Sequence, residues 1–295
     1  MGPTARAIAE NRSRAYSMRL QPILVKTGKG QKTLVQNPIS TFQFLKTYMT
    51  QQITLSPGNK VKLYSRSAAF LIGMVVSSLL ICPLVILSIV LPFSWRYRIS
   101  GLWPASVLWL AGVCCGLNYE IEGYDTIEKT GTAIILSKHQ SAWETIAYRK
   151  LLPMHSVLLK RSLLLLPFWG WAMATLKPIA IDRKNQRTAL RKLLEQGAAN
   201  LKQGLWIVIF PEGTRTAPHE TRKFSAGGAM LAEQTGYPVI PIAHNAGDYW
   251  PRNSFLKYPG TIKVKIGPVI ESKGRKAKEI NAEAEAWIVE AMKGL

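Results

Sequence analysis

Residues Ala68 to Ser94 read AAFLIGMVVSSLLICPLVILSIVLPFS and carry no charge at all. Roughly 20 apolar residues are enough to span the hydrocarbon of a bilayer, so this run can enter a membrane even with Pro83 inside it. A weaker apolar stretch follows from Ile99 to Leu117, with Trp103 and Trp109 as candidate interfacial anchors. Lys60, Lys62 and Arg66 precede the first run and favour a cytoplasmic side for what lies before it. Arg96 and Arg98, between the two runs, oppose export of the loop that carries them. A hairpin dipping into one leaflet reconciles both signals. A spanning hairpin and a buried pair of core helices are the alternatives.

The charge balance adds a second constraint. Against 38 Lys+Arg stand 17 Asp+Glu, a net charge of +21. A charge of that size draws a protein toward phosphate-rich surfaces, whether nucleic acid, anionic lipid headgroups or phosphorylated substrates. The basic residues are dispersed rather than gathered on one helix, and no nucleic-acid-binding motif is present, so a nucleic-acid partner is not expected. Cys82, Cys114 and Cys115 lie in apolar stretches without C-x-x-C spacing, which reads as packing in a reducing compartment rather than a zinc or redox site. The four histidines are scattered and offer no close ligand pair for a metal.

Three regions follow. Residues 1–66 hold eleven Lys+Arg against the single acidic Glu10 and show no sustained period, which predicts a basic, poorly ordered extension able to lie on anionic lipid. It is not a secretory signal, because the apolar run begins only near Ala68; a translation start at Met18 or Met49 is a further reading. Residues 67–118 form the expected membrane-anchoring helical hairpin. From residue 119 the pattern becomes that of a globular domain. Strands are predicted at Thr132–Ser137, Val157–Leu159, Ile179–Ile181, Leu205–Phe210, Val239–Ala243 and Thr261–Ile266. Helices are predicted at Trp143–Leu151, Leu163–Ala174, Gln186–Gln203, Ala226–Thr235 and Ala277–Met292. Such alternation predicts an α/β fold, a mainly parallel sheet flanked by helices, with sites where strands end. Pro241 inside a strand predicts a sheet edge or a bend. The run Leu163–Trp171 reads either as a core helix or as the lining of an apolar tunnel.

Four strand-end segments could carry chemistry. His139 follows TAIILS, and Glu144 stands five residues on, around a helix start. A histidine there can take a proton from an alcohol, and a carboxylate on its other ring nitrogen fixes the tautomer and stabilises the imidazolium. Taken alone the histidine is as easily structural, and Ser141 has the position of a helix cap. No Gly-x-Ser-x-Gly elbow supplies a serine nucleophile, so direct attack by an acceptor hydroxyl is the simpler chemistry. The second segment, Phe210-Pro211-Glu212-Gly213-Thr214-Arg215, follows LWIVIF. Its Pro and Gly make a tight turn that can aim backbone N–H groups and Arg215 at an anion such as phosphate; an ordinary strand-end turn with a surface Glu–Arg pair is the plainer reading. The third ends a strand in Asp182-Arg183. The fourth, Val239–Asn245, carries Pro241 and His244, the latter more a packing or hydrogen-bonding residue than a base.

In this order and spacing HQSAWE, KPIAIDR, FPEGTR and VIPIAHN resemble the four blocks of the glycerolipid acyltransferase family, over roughly Tyr119 to Gly267. The resemblance implies transfer of an acyl chain from acyl-CoA or acyl carrier protein to the sn-2 hydroxyl of 1-acyl-glycerol-3-phosphate, giving phosphatidate. Glycerol-3-phosphate, another lysophospholipid or a lipid A precursor is the alternative acceptor. By the same resemblance His139 is the general base, held by Glu144. Arg183, Glu212, Gly213, Thr214 and Arg215 lie at the acceptor's glycerol phosphate, and Pro241 shapes the site. No metal or redox cofactor is implied. The expected setting is a bacterial inner membrane, among membrane lipids, with the catalytic domain facing the cytoplasm. Two departures stand out. The family's first block most often ends in Asp where this chain has Glu144, one methylene longer, which demands another rotamer or a shifted backbone. Lys138 stands where Asn often precedes the histidine.

Overall fold

The computed structural model describes residues 23–27, 31–35 and 57–295, Arg183 and His219 excepted. Within the basic region, β1 (Ile23–Thr27) pairs antiparallel with β2 (Gln31–Val35). Met18, Met49 and the remainder of that region lie outside the described residues. The expected boundary at residue 66 moves back, because helix α1 (Pro57–Leu87) already begins at Pro57. Proline is favoured at the first helical position, where its missing N–H costs nothing. The polar Asn59–Lys62 turn then hides the helix from a search for apolar runs.

Helix α1 continues through Pro83 and ends in a 3₁₀ turn, Ser88–Val90. Helices α2 (Phe93–Ser100) and α3 (Leu102–Cys115) follow, divided at Gly101. Phe70, Cys82 and Val85 of α1 are buried, whereas Ile72, Leu80 and Leu87 are 64%, 65% and 72% exposed, and Trp109 of α3 is 65% exposed. Trp103 instead turns inward and donates its indole N–H to Ser78 Oγ at 2.7 Å. The segments Gly58–Val90 and Phe93–Cys115 are each long and apolar enough to cross a membrane. One apolar face on the protein and another left bare is not how a soluble core helix is built. A bare apolar surface of this extent points to membrane association.

Beyond Cys115 the chain forms a seven-stranded sheet: β3 (Leu117–Glu122), β4 (Ile134–Ser137), β5 (His155–Lys160), β6 (Ile179–Ile181), β7 (Trp206–Ile209), β8 (Val239–His244) and β9 (Gly260–Ile266), in the order β3-β9-β8-β4-β7-β5-β6. The five strands from β8 to β6 are parallel; β3 and β9 are parallel to each other and run against β8. The helices of this part are α4 (Asp125–Lys129), α5 (Trp143–Leu151), α6 (Trp169–Ala174), α7 (Gln186–Lys202), α8 (Gly227–Thr235), α9 (Ala246–Tyr249) and α10 (Ala277–Lys293). Alternation along the strands divides the interior in two. Ile135, Trp206 and Val208 face one core with Phe70, Val107 and Trp143, whereas Ile134, Leu136, Ile207 and Ile209 face the other with Leu193, Leu231 and Ile280. Helices α1, α3 and α5 therefore share one face of the sheet.

Two expectations need correction. Pro241 is not at an edge: β8 lies between β4 and β9. The Ile242 carbonyl accepts from Lys138 on the β4 side, so Pro241 directs its own groups toward β9, where its carbonyl accepts from Gly267 just past the last paired residues, Ile242 and Ile266. The missing N–H thus falls in the gap between the β8–β9 ladder and the single antiparallel bridge that Val239 makes with Ile270. The helix expected over Leu163–Ala174 is broken into a 3₁₀ turn, Arg161–Leu165, and α6. Pro167 disfavours helical geometry in the residue before it, and Phe168 sits at φ 60°, so the chain turns there.

Candidate active site

Strand β4 delivers His139 to the sheet's carboxyl edge, and α5 starts four residues later with Glu144 in its first turn. The Glu144 side chain folds back over the turn. Its Oε1 accepts from His139 Nδ1 at 2.8 Å, from the Gln140 amide at 3.0 Å and from the Ser141 amide at 2.8 Å. The longer side chain therefore makes the bond expected of the family's shorter one. The N-cap position falls to Ala142, so Ser141 is not the cap; its Oγ accepts from the Trp143 amide and donates to the Trp250 carbonyl, which ties the turn down.

A carboxylate can only accept, so Nδ1 is the donor, and the neutral form of the ring then has its lone pair on Nε2. Among the described residues none donates to or accepts from Nε2, and the ring, stacked 4.1 Å from Phe210, borders a cavity. Burial alone would raise the Glu144 carboxyl; the adjacent His244 and His139, with the Ser141 amide, outweigh it and hold the group below the ordinary glutamate range. Its second oxygen, Oε2, is buried with no hydrogen-bond partner among the described residues. His244 is fully buried and donates Nε2–H to the Lys138 carbonyl at 2.9 Å while Nδ1 accepts from the Ala246 amide. Burial lowers its pKa and the nearby Glu144 carboxylate opposes that fall; with both ring nitrogens bonded to the backbone, its place is structural.

The turn after β7 lies beside the histidine. Gly213 has φ 70°, a left-handed conformation that a side chain would strain. Thr214 and Arg215 line the cavity. Glu212 does not reach it: one oxygen takes the Lys138 ammonium and the other takes the His139 amide N–H at 2.9 Å. Burial pushes the Glu212 carboxyl up, and Lys138 beside it opposes that rise. Pro241 also stays out of the cavity; a Cβ on Gly267 would lie 2.7 Å from both its ring and the Trp287 indole, which marks close packing there. Arg183 lies outside the described residues.

The cavity has a volume of about 900 Å³ and opens between α1, α3, α5 and the loops at the sheet's carboxyl edge. Phe70, Met74 and Leu79 of α1 form one wall, and Leu163, Phe168 and Trp169 another. Ala142, Ile146 and Arg149 present one face of α5 along its length. Among the described residues five cations line it, Arg149, Lys160, Arg215, Arg252 and Lys257, and no aspartate or glutamate does. Arg149 is largely buried, stacks on Tyr97 and has its pKa lowered to about 9 by that burial. Of these five, the motif search found only Arg215. The others come from segments that carry no pattern of their own and meet only in the folded chain. Among the described residues no group of histidine, cysteine, aspartate and glutamate could hold a metal ion.

Residues 118–245 match the family model described as Acyltransferase. A curated 1-acyl-sn-glycerol-3-phosphate acyltransferase of Pseudomonas aeruginosa is 49% identical over 207 residues, covering 69% of this chain and 80% of that relative. The human 1-acyl-sn-glycerol-3-phosphate acyltransferase beta is 26% identical over 169 residues, covering 57% of this chain and 61% of its own length. The crystal structure of the 1-acyl-sn-glycerophosphate (LPA) acyltransferase PlsC from Thermotoga maritima superimposes with a TM-score of 0.68 at 21% identity, covering 80% of this chain and 96% of that one. That last likeness speaks for the fold alone.

Proposed function

The chain belongs to the Acyltransferase family, and from that premise we propose that it esterifies the sn-2 hydroxyl of 1-acyl-glycerol-3-phosphate with an acyl chain from acyl-CoA or acyl carrier protein, making phosphatidate. One observation carries the reading: the base borders a largely apolar cavity whose lining, among the described residues, includes five cations and no carboxylate, which suits an amphiphile with an anionic head. His139 Nε2 takes the acceptor's hydroxyl proton as that oxygen attacks the thioester carbonyl carbon. The tetrahedral intermediate collapses by breaking the carbon–sulfur bond, and the imidazolium returns the proton to the departing thiolate. Glu144 holds the ring and stabilises the imidazolium while it lasts. The acyl group arrives already activated as a thioester, so the chemistry calls for no metal or redox group.

Thr214 and Arg215 are the proposed contacts for the acceptor's glycerol phosphate, Arg215 gripping phosphate oxygens bidentately, while Gly213, outside the cavity lining, shapes the turn that presents them. The proposed location is the inner membrane of a bacterium, with α1 to α3 as a hairpin in one leaflet and the catalytic part on the cytoplasmic side. Lys60, Lys62, Arg66, Arg96 and Arg98 support that orientation.

Membranes containing the protein, given labelled acyl-CoA, should convert lysophosphatidate to phosphatidate and leave glycerol-3-phosphate and other lysolipids unreacted; acylation of one of those instead would reassign the acceptor. Arg215→Ala is expected to raise KM for lysophosphatidate by roughly tenfold or more with a smaller change in kcat, since it removes a charge-assisted contact present in the ground state, worth about 1.5–3 kcal/mol. Unchanged KM and kcat would take Arg215 out of the site.

A further inference from the structure

Lys138 is a lysine with almost no access to water: its side chain is 5% exposed. All three of its ammonium protons are accounted for, by Glu212, by Thr216 Oγ1 at 3.1 Å and by the Glu220 carbonyl at 2.8 Å. The other Glu212 oxygen accepts the His139 amide N–H, and the Thr216 amide donates to the His139 carbonyl at 2.8 Å. The peptide groups on both sides of His139 are thus gripped by the turn that also carries Thr214 and Arg215. Neither Lys138 nor Glu212 lines the cavity.

We infer that Lys138 and Glu212 form a buried positioning pair that locks the phosphate-binding turn to the backbone of His139, so that base and anion clamp keep a common register. Glu212 on this account never touches the acceptor. An ionised carboxylate can only accept, and it must stay ionised to receive both the ammonium and the His139 amide. An asparagine at 138, the residue expected there from the resemblance, has no charge to balance a buried carboxylate. Lysine does, and its aliphatic stem fills the space behind the strand end. The inference rests on His139 being the base.

The test uses the full chain in membranes, with kcat and KM measured for acyl-CoA and lysophosphatidate. Lys138→Met and Glu212→Gln should each lower kcat by about 10²-fold, the scale of an ångström-sized misplacement of a catalytic group, with KM for lysophosphatidate within about twofold of the parent. The double variant Lys138→Met/Glu212→Gln should recover about tenfold over Lys138→Met alone, because an amide at 212 no longer needs a cation beside it. Raised KM with unchanged kcat in Glu212→Gln would make it an acceptor ligand and overturn the inference, as would strictly additive single effects. Should Lys138→Met fail to fold, as judged by thermal unfolding in detergent, Glu212→Gln and the double variant still decide the matter. His139→Ala run alongside separates the two ideas: activity there defeats the reading of the base, whereas normal kcat in Glu212→Gln and the double variant with an inactive His139→Ala defeats only the pair.

Discussion

Alanine at His139 is expected to lower kcat by about 10²–10⁴-fold, the usual contribution of a positioned general base, while KM for both substrates stays near the parent value. Folding should survive the change. The backbone groups of His139 do the structural work there, through Glu212 and Thr216, and alanine keeps them. What the ring itself contributes is a stack on Phe210 and the bond to Glu144. Steady-state rates on purified membranes, together with an unfolding curve in detergent, check both halves. A kcat within a few-fold of the parent would remove His139 from the chemistry.

The next largest effect is expected for Glu144→Gln. Its amide oxygen can still take the Gln140 and Ser141 amides, so the helix start remains capped. The imidazole loses its charged partner, however, and nothing obliges Nδ1 to carry the proton. The histidine can then adopt the tautomer with Nε2–H, which cannot accept the acceptor's proton. The corresponding change in a serine protease triad costs about 10⁴ in kcat, and a loss of about 10²–10⁴-fold is expected here. Stability supplies an independent readout. The fold holds the Glu144 carboxyl below the ordinary glutamate range, so it favours the ionised form. That contribution is present at neutral pH and is lost as pH falls through the lowered folded-state value. Glutamine does not titrate, so the melting temperature of the variant should fall less on acidification than that of the parent. Parallel curves for the two proteins, or unimpaired turnover by the variant, would refute the assigned role.

The sheet was legible because its middle strands are continuous apolar runs, TAIILS and LWIVIF, bounded by turn residues. Strand β3 was harder: its residues LNYEIE are half polar, because its outer edge is open to solvent, and its parallel partner β9 lies far along the chain. Pro241 misled because the rule for proline assumes that both sides of an interior strand are fully paired, and the pairing of β8 on its β9 side is interrupted at that residue. Within the site, His139 and Glu144 were visible as a local pair. Glu212 was not readable in the same way. Its place in the FPEGTR turn suggests an outward contact, and only the buried Lys138, 74 residues away in sequence, explains why it points inward. The cations Lys160, Arg252 and Lys257 were invisible for the same reason, since long-range packing assembles them.

The wall that α1 contributes to the cavity has a kinetic corollary. Phe70, Met74 and Leu79 belong to the same helix whose outer face is bare and apolar, so on the proposed reading docking in lipid and enclosing the substrate are two sides of one element. A chain beginning at Tyr119 would keep His139 and Arg215 but lack one wall of the cavity proposed to take the acyl groups. On that reading an acceptor dissolved in the bilayer would reach the base by lateral diffusion, without its tail crossing water. Turnover should accordingly follow the mole fraction of acceptor in the membrane plane and fall under surface dilution with inert lipid, even when the bulk concentration of acceptor is held constant.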